Sequence, residues 1–466
     1  MTTLTTPLPL LQEDMKLDKL FSKLQGNILK GHGRDHTANI FVKFTAPVAD
    51  VKRWLHSYVS NITSCKQQLK ANELFKSKNV SGGLFATVNL SATGLKYLGK
   101  AINTLDPSFQ QGMKKAHISD PNPNTWDGAF QGDVDAVFLL ASEDENVLIE
   151  EADKLRAKLS AIAIVLTTED GHALKNDNKD GIEHFGYVDG TSQPLFFKDE
   201  VDKFNENNSG ITGFAPLAPL GLGQVLIPDP FVANAASPGV DSYGSYFVFR
   251  KLEQNVKGFK TAEKKLALTL GLQGEDVERA GAMIVGRFED GSPVTLSDES
   301  GLIASGTLNA FNYKNDYRGD GKVDTNGSKC PFHAHIRKVN PRDGSEASHI
   351  MARRGIPFGT REEGSFENTD LMPEGGVGLL FQSFQASIVT QFEFLQQTWA
   401  NNPNFPSPNA GLDPIIGESQ AMKSTGPFPT KWGDATSNKV ADFPQFVNLK
   451  GGEYFFAPSI TFFEEL

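Results

Sequence analysis

The chain has 466 residues, 39% hydrophobic and 22% charged, with 45 basic against 56 acidic side chains and a formal net charge of −11. This is ordinary globular composition with ample material for a core, and length alone suggests about three domains. The acidic balance, with a pI near 5.4 and no long basic run, excludes a nucleic-acid surface built on clustered Lys and Arg, and no window reaches the ~20 apolar residues of a membrane span.

From Met1 to Asp14 the chain lacks a basic start and its short apolar patch is broken by prolines, so it fails as a secretory signal. Cys65 and Cys330 cannot form a disulfide framework and lie too far apart in sequence for a zinc knuckle. A cytoplasmic location is the simplest expectation, although a mature secreted chain with its signal removed would read the same.

Alternation over Ala38 to Phe44 predicts a strand with Ile40, Val42 and Phe44 on one face, followed by a helix over Val48 to Val59. Gly83 to Leu90 is the next strand, and Ser91 caps a helix carrying Leu95, Leu98 and Ile102. After a Pro/Asn-rich loop at 121–124 come a strand at Ala136 to Leu140, a helix with Leu148, Ala152, Leu155 and Leu159 on one stripe, and a strand at Ala161 to Thr168. A polar, Gly- and Asp-rich stretch, Glu169 to Gly181, interrupts the pattern, and a Pro/Gly-rich region from Ala215 to Gly239 reads as a connecting loop. Beyond it follow a strand at Ser245 to Arg250, helices at Thr261 to Leu270 and Glu275 to Ile284, and a strand at Val377 to Phe384. A helix over Ala386 to Trp399 puts Ile388, Phe392, Leu395 and Trp399 on one face, and Gly452 to Pro458 is the final strand. Two similar α+β halves flanking a linker summarise the pattern, with no repeat visible in the letters themselves.

Three segments carry chemistry. In Gly186-Tyr-Val-Asp-Gly190 the flanking glycines let the backbone approach a flat ligand closely, with Asp189 between them; a turn with the aspartate bonded to its own backbone fits the same letters. In Cys330-Pro-Phe-His-Ala-His335 an imidazole is available as an axial ligand to haem iron, oriented by an acceptor on its other nitrogen. His333 points away from His335 if the segment is extended, and reads as a packed histidine. Arg353 and Arg354 precede Gly355-Ile-Pro-Phe-Gly359; adjacent arginines usually make solvated or salt-bridged surface, but a guanidinium beside a bound peroxide stabilises charge as the O–O bond breaks.

Taken together, these segments resemble the dye-decolourising peroxidase family. The match begins at Leu24-Gln-Gly-Asn-Ile-Leu29, runs through Glu183 to Gly190, Cys330 to Arg342, Arg353 to Gly359 and Gly378 to Phe381, and ends at Gly451 to Pro458. The resemblance implies an α+β fold made of a tandem pair of ferredoxin-like halves, related to the dimeric α+β barrel, enclosing one haem b. The boundaries it suggests are an N-terminal extension over 1–36, a first half over 37–214 carrying the distal Asp loop, a connector over 215–240, and a second half over 241–466. Carried over by motif, His335 is the proximal ligand, Asp189 the distal acid–base residue and Arg353 the distal arginine, preferred over Arg354 because it stands four residues before Pro357. Gly190, Leu379 and Phe381 match residues lining the haem, Asp413 leads and Glu393 is the reserve for the carboxylate bonding His335, and Trp399 is either an electron-transfer residue or helix packing.

The implied activity is reduction of hydrogen peroxide through a ferryl intermediate while dyes, phenols and other organic reductants are oxidised. Aspartate in place of a distal histidine favours acid pH through its lower intrinsic pKa. A haem-delivery protein without turnover would need His335 but neither Asp189 nor Arg353. A non-haem metal hydrolase on His333 and His335 would need further ligands that no local motif supplies. Neither the physiological reductant nor the oligomeric state is legible in the letters.

Overall fold

The computed structural model describes residues 4–6, 8–207, 221–301, 308–316, 321, 323–362, 364–366, 368–419 and 421–466. Eight strands organise them: β1 (His36–Phe44), β2 (Phe85–Ser91), β3 (Ala136–Ser142), β4 (Ala163–His172), β5 (Tyr243–Gln254), β6 (Ile356–Phe358), β7 (Gly378–Gln385) and β8 (Val447–Ala457). They lie in one antiparallel sheet in the order β6-β7-β5-β8-β2-β3-β1-β4, with the short strands Ile227–Pro228 on β5 and Ala352–Arg353 on β7.

Each half runs strand, helix, strand, strand, helix, strand, and in each the spatial order is second, third, first, fourth, which is the ferredoxin-like arrangement. The fourth strand of the second half pairs with the second of the first, through Phe455↔Ser91 and Phe456↔Leu90. Symmetry asks for the same at the other seam, and β4 and β6 do lie together there. A Cβ on Gly171 would sit 2.5 Å from Ile356 Cγ2, so only glycine admits that approach. Inside the closed sheet, Phe41 of the first half and Phe249 of the second are fully buried and meet edge to face at 4.7 Å.

Local chemistry sets the helices. Asp144 accepts from the amides of Asn146 and Val147 to start Glu145–Leu159, whose buried stripe is Leu148, Ala152, Leu155 and Leu159 as the spacing predicts. Ser91 caps its helix through Gly94 N–H, but that helix stops at Tyr97 because Gly99 turns the chain at φ +74°; Ile102 is buried outside it. The polar stretch after Thr168 is no interruption at first, since β4 continues to His172 as the partner of β1. A helix at Cys65–Lys78, opened by a Ser64/Gln67 capping box, was absent from the expected elements. The expected Glu275 to Ile284 helix divides into a short turn at Gly274–Val277 and a helix at Arg279–Val285.

The described part of the 215–240 connector is no loose loop: Leu222, Val225 and Leu226 are buried, and Asp229 accepts from Ser459 N–H and Oγ–H at 2.7 and 2.8 Å. Residues 215–220 and the 214 boundary lie outside the described residues. Ahead of β1, Leu20, Phe21, Leu24 and Ile28 join the core, and Gln25 Nε2 donates to Val88 O and Pro458 O, one in each half.

Candidate active site

A cavity of about 330 Å³ lies on the outer face of the second half's sheet, opposite the barrel core. Alternation along β5 explains the placement: Phe247 and Phe249 point into the core, while Arg250, Leu252 and Gln254 face the cavity. Register puts Leu379 of β7 opposite Leu252 and Phe381 opposite Arg250, so both reach the same wall.

His335 is the first residue of the short helix His335–Val339. Its Nδ1 lies 2.9 Å from Asp413 Oδ2, and it lines the cavity. Asp413 is fully buried, and its Oδ1 accepts from the amides of Ile415 and Ile416 at 2.8 and 3.0 Å. Burial opposes the charge, but His335 and those amides outweigh it and hold the Asp413 carboxyl below its ordinary pKa. A carboxylate acceptor at Nδ1 fixes the neutral tautomer with its lone pair on Nε2. His333 is fully buried beside Gly426 and edge-on to Phe428, and burial lowers its pKa to about 3. The two histidines part because a helix begins at His335, not because a strand alternates.

Asp189 stands on the loop after β4. Gly186 and Gly190 adopt φ +98° and +73°, angles that only glycine takes freely. Asp189 Oδ1 accepts from Gly190 N–H at 2.6 Å, its side chain is exposed, and it lines the cavity. The aspartate is thus bonded to its own backbone and also presented to the cavity. Glu183 builds this turn: it is half-buried and accepts from Phe185 N–H at 2.8 Å, Tyr187 N–H at 3.1 Å and Gln254. Burial raises its pKa to about 7.

Arg353 reaches the same loop, Nη2 donating to Ser192 O at 2.9 Å and its amide to Gln193 Oε1 at 3.1 Å. Arg354 is committed elsewhere, to the carbonyls of Asn27, Ile28 and Arg353. His335, Asp189, Arg353, Leu379 and Phe381 all line the one cavity, and Gly190 lines it too. Glu393 does not reach His335: its oxygens accept from Ser108 Oγ–H at 2.6 Å and Tyr454 O–H at 2.9 Å. Trp399 is only 3% exposed and stacks on Phe405 at 5.0 Å, with His349 edge-on at 5.2 Å.

Matches to known proteins bear on the family and the fold. Residues 23–173 match the DyP dimeric alpha+beta barrel domain, and residues 229–405 the Dyp-type peroxidase, C-terminal domain. The multifunctional dye peroxidase DyP2 of Amycolatopsis sp. is 43% identical over 465 residues, 96% of each chain. The chain belongs to the dye-decolourising peroxidase family. It is therefore a peroxidase, an oxidoreductase. A solved Anabaena sp. DyP-type peroxidase superposes with a TM-score of 0.89 at 39% identity, covering 100% of this chain and 99% of that one. The dye-decolorizing peroxidase AauDyP1 of Auricularia auricula-judae is more distant, 30% identical over 94% of this chain and 85% of its own. Among the described residues no helix is long and apolar enough to cross a membrane.

Several cavity groups were missed from the letters. Arg250 forms a buried two-point ion pair with Asp120, at 2.6 and 2.7 Å, across 130 residues of sequence. Arg287 and Arg342 also line the wall; burial lowers them to about 10 and about 9, still charged at neutral pH. Glu418, half-buried near Arg250, is raised by desolvation to about 7. Arg342 falls inside the Cys330 to Arg342 motif, the one signal that marked any of them.

Proposed function

We propose that the chain holds one haem b in this cavity, with His335 holding its iron, and reduces hydrogen peroxide while oxidising dyes, phenols and other aromatic reductants. The observation that carries the reading is that His335, with Asp413 on its Nδ1, shares one cavity with Asp189 and Arg353. The walls suit such a group: Leu379, Phe381 and Ile336 offer apolar contact, and Arg287 and Arg342 offer positive charge to carboxylates. Three buried wall atoms, Thr191 Oγ1, Gln254 Oε1 and Asn340 Oδ1, have no hydrogen-bond partner among the described residues, as expected of a site shaped for a polar-edged ligand. The names of the relatives, dye peroxidases among them, support dyes as reductants.

Haem, when bound, would supply the iron at which peroxide is cleaved and would hold the two oxidising equivalents that peroxide delivers until the reductants return the electrons. His335 presents Nε2 as a lone-pair donor, and Asp413 keeps the proton on Nδ1. Asp189 keeps Oδ1 on Gly190 N–H, leaving Oδ2 to take a proton from one peroxide oxygen and return it to the departing one. Arg353, anchored on the same loop, puts a permanent charge beside the breaking bond. Gly190 lets the backbone come close, while Leu379 and Phe381 keep water from the haem face. Burial of Trp399 in an aromatic cluster supports a packing role over electron entry from bulky dyes.

The boundaries we propose for the halves are 37–214 and 241–466, supported by their matching strand orders, with 1–36 and 215–240 as extension and connector. Two buried free cysteines support a reducing, cytoplasmic setting. The test is haem stoichiometry. Wild type is expected to carry one haem per chain with a Soret band, and His335→Ala to lose most of it while keeping its far-UV circular dichroism. Full haem retention in His335→Ala contradicts the assignment.

A further inference from the structure

Away from the cavity, three side chains of types that can ligate a metal converge beside β1 and β4. His36 opens β1 and His172 closes β4, and the antiparallel register sets them directly opposite each other. Glu145 stands in the first turn of helix Glu145–Leu159, which packs on both strands. The imidazoles face each other through Nδ1 at 3.0 Å with their planes 74° apart. Glu145 Oε1 is 3.6 Å from His172 Nδ1, and all three ligand atoms fall within 4.8 Å of one another.

A hydrogen bond between two neutral rings uses one proton and satisfies two nitrogens. At 3.6 Å the carboxylate is too distant to share in it. The three ligand atoms thus share one contact of hydrogen-bond length, with Glu145 left outside it, an arrangement that a cation bound to all three would complete. With Zn–N near 2.0–2.1 Å and Zn–O near 2.0–2.2 Å, neighbouring ligands of a tetrahedral ion are roughly 3.4 Å apart, and the observed 3.0 and 3.6 Å separations straddle that value. Small ring rotations would bring the three into register. The donors come from two paired strands and a helix end, so the framework is rigid before any ion arrives.

We propose that His36, His172 and Glu145 form a site for a zinc-class divalent ion, with water completing the tetrahedron. Two imidazoles among three donors select a borderline transition metal over magnesium or calcium, which favour oxygen donors. The peroxidase chemistry proposed above uses none of the three. The position suggests a clamp: beyond His172, Ala173 N–H bonds Asp35 O, Leu174–Lys175 pairs with Gly181–Ile182, and Asp189 N–H donates to Gly181 O at 3.0 Å. An ion here would tie down the end of β4, where the hairpin that bonds the Asp189 amide begins.

The experiment uses untagged, haem-loaded protein dialysed free of other divalent metals and titrated with zinc or magnesium chloride, with calorimetry and thermal midpoint as readouts. Wild type is expected to take one zinc per chain at micromolar concentration or below and to melt at a higher temperature; magnesium is expected to do neither. His172→Asn, and independently the isosteric Glu145→Gln, are expected to weaken zinc binding at least about tenfold while the Soret band and peroxide turnover stay at wild-type values. No zinc uptake by wild type, equal uptake by wild type and both variants, or an equal response to magnesium would overturn the proposal.

Discussion

Asp413 governs which nitrogen of His335 bears a proton. Its buried carboxylate can only accept, so the Nδ1–H tautomer follows. Asp413→Asn offers an N–H in its place and is expected to weaken haem binding about 10- to 100-fold, measured by titrating haem into the apo-protein. Glu183 makes a second prediction at this scale. Burial raises its folded pKa to about 7 from an ordinary 4.5, so the folded state keeps a proton that the unfolded chain releases. Its stabilisation is complete below about pH 4.5 and is lost as pH rises to about 7. Glu183→Gln cannot titrate, so whatever its constant offset, its thermal midpoint relative to wild type is expected to climb between those pH values. A constant difference would contradict this. The positive φ of Gly186 and Gly190 was legible because glycine alone takes such angles freely; the Arg250–Asp120 pair was not, because nothing local links residues 130 apart.

The segment after β7 shows where element-level reading stops. A 3.6-residue period fits Ile388, Phe392, Leu395 and Trp399, yet the backbone winds wider, as π-helix over Ile388–Glu393 and Leu395–Ala400. The wider turn brings Gln391 and Gln396 inward, five residues apart, where they donate to the carbonyls of Gln224, Ile350 and Ile416. Apolar spacing could not foretell that, because the buried partners are polar and lie on distant loops. Strand ends were misread for a related reason: β4 keeps pairing through polar residues because β1 supplies a partner, and pairing is not written in hydropathy. The Cys65–Lys78 helix was missed as well, although its Ser64-x-x-Gln67 capping box is a local signal that marks the start. For Trp399, stacked on Phe405 and nearly sealed from solvent, Trp399→Phe is expected to cost about 1–2 kcal/mol of stability. Its activity ratio between bulky anthraquinone dyes and small phenols is expected to stay at the wild-type value. Selective loss of dye activity would instead assign electron transfer to it.

At the scale of the molecule, closing one sheet from two halves is what assembles the site. Asp189 arrives on the loop that follows the first half's last strand, while His335, Arg353, Leu379 and Phe381 belong to the second. The two-half organisation was legible in the alternation of strands and helices, but the seams were not: one rests on two residue pairs of β8 and β2, the other on the missing side chain of Gly171. On the function proposed above, this assembly sets a proton-transferring carboxylate, Asp189, beside bound peroxide. Stopped-flow mixing of hydrogen peroxide with haem-loaded wild type and Asp189→Asn tests it most directly. Wild type is expected to show a rapid Soret change, and Asp189→Asn, with an unchanged resting spectrum, one slower by about 10²- to 10⁴-fold. A Soret change in Asp189→Asn as fast as in wild type would contradict the account.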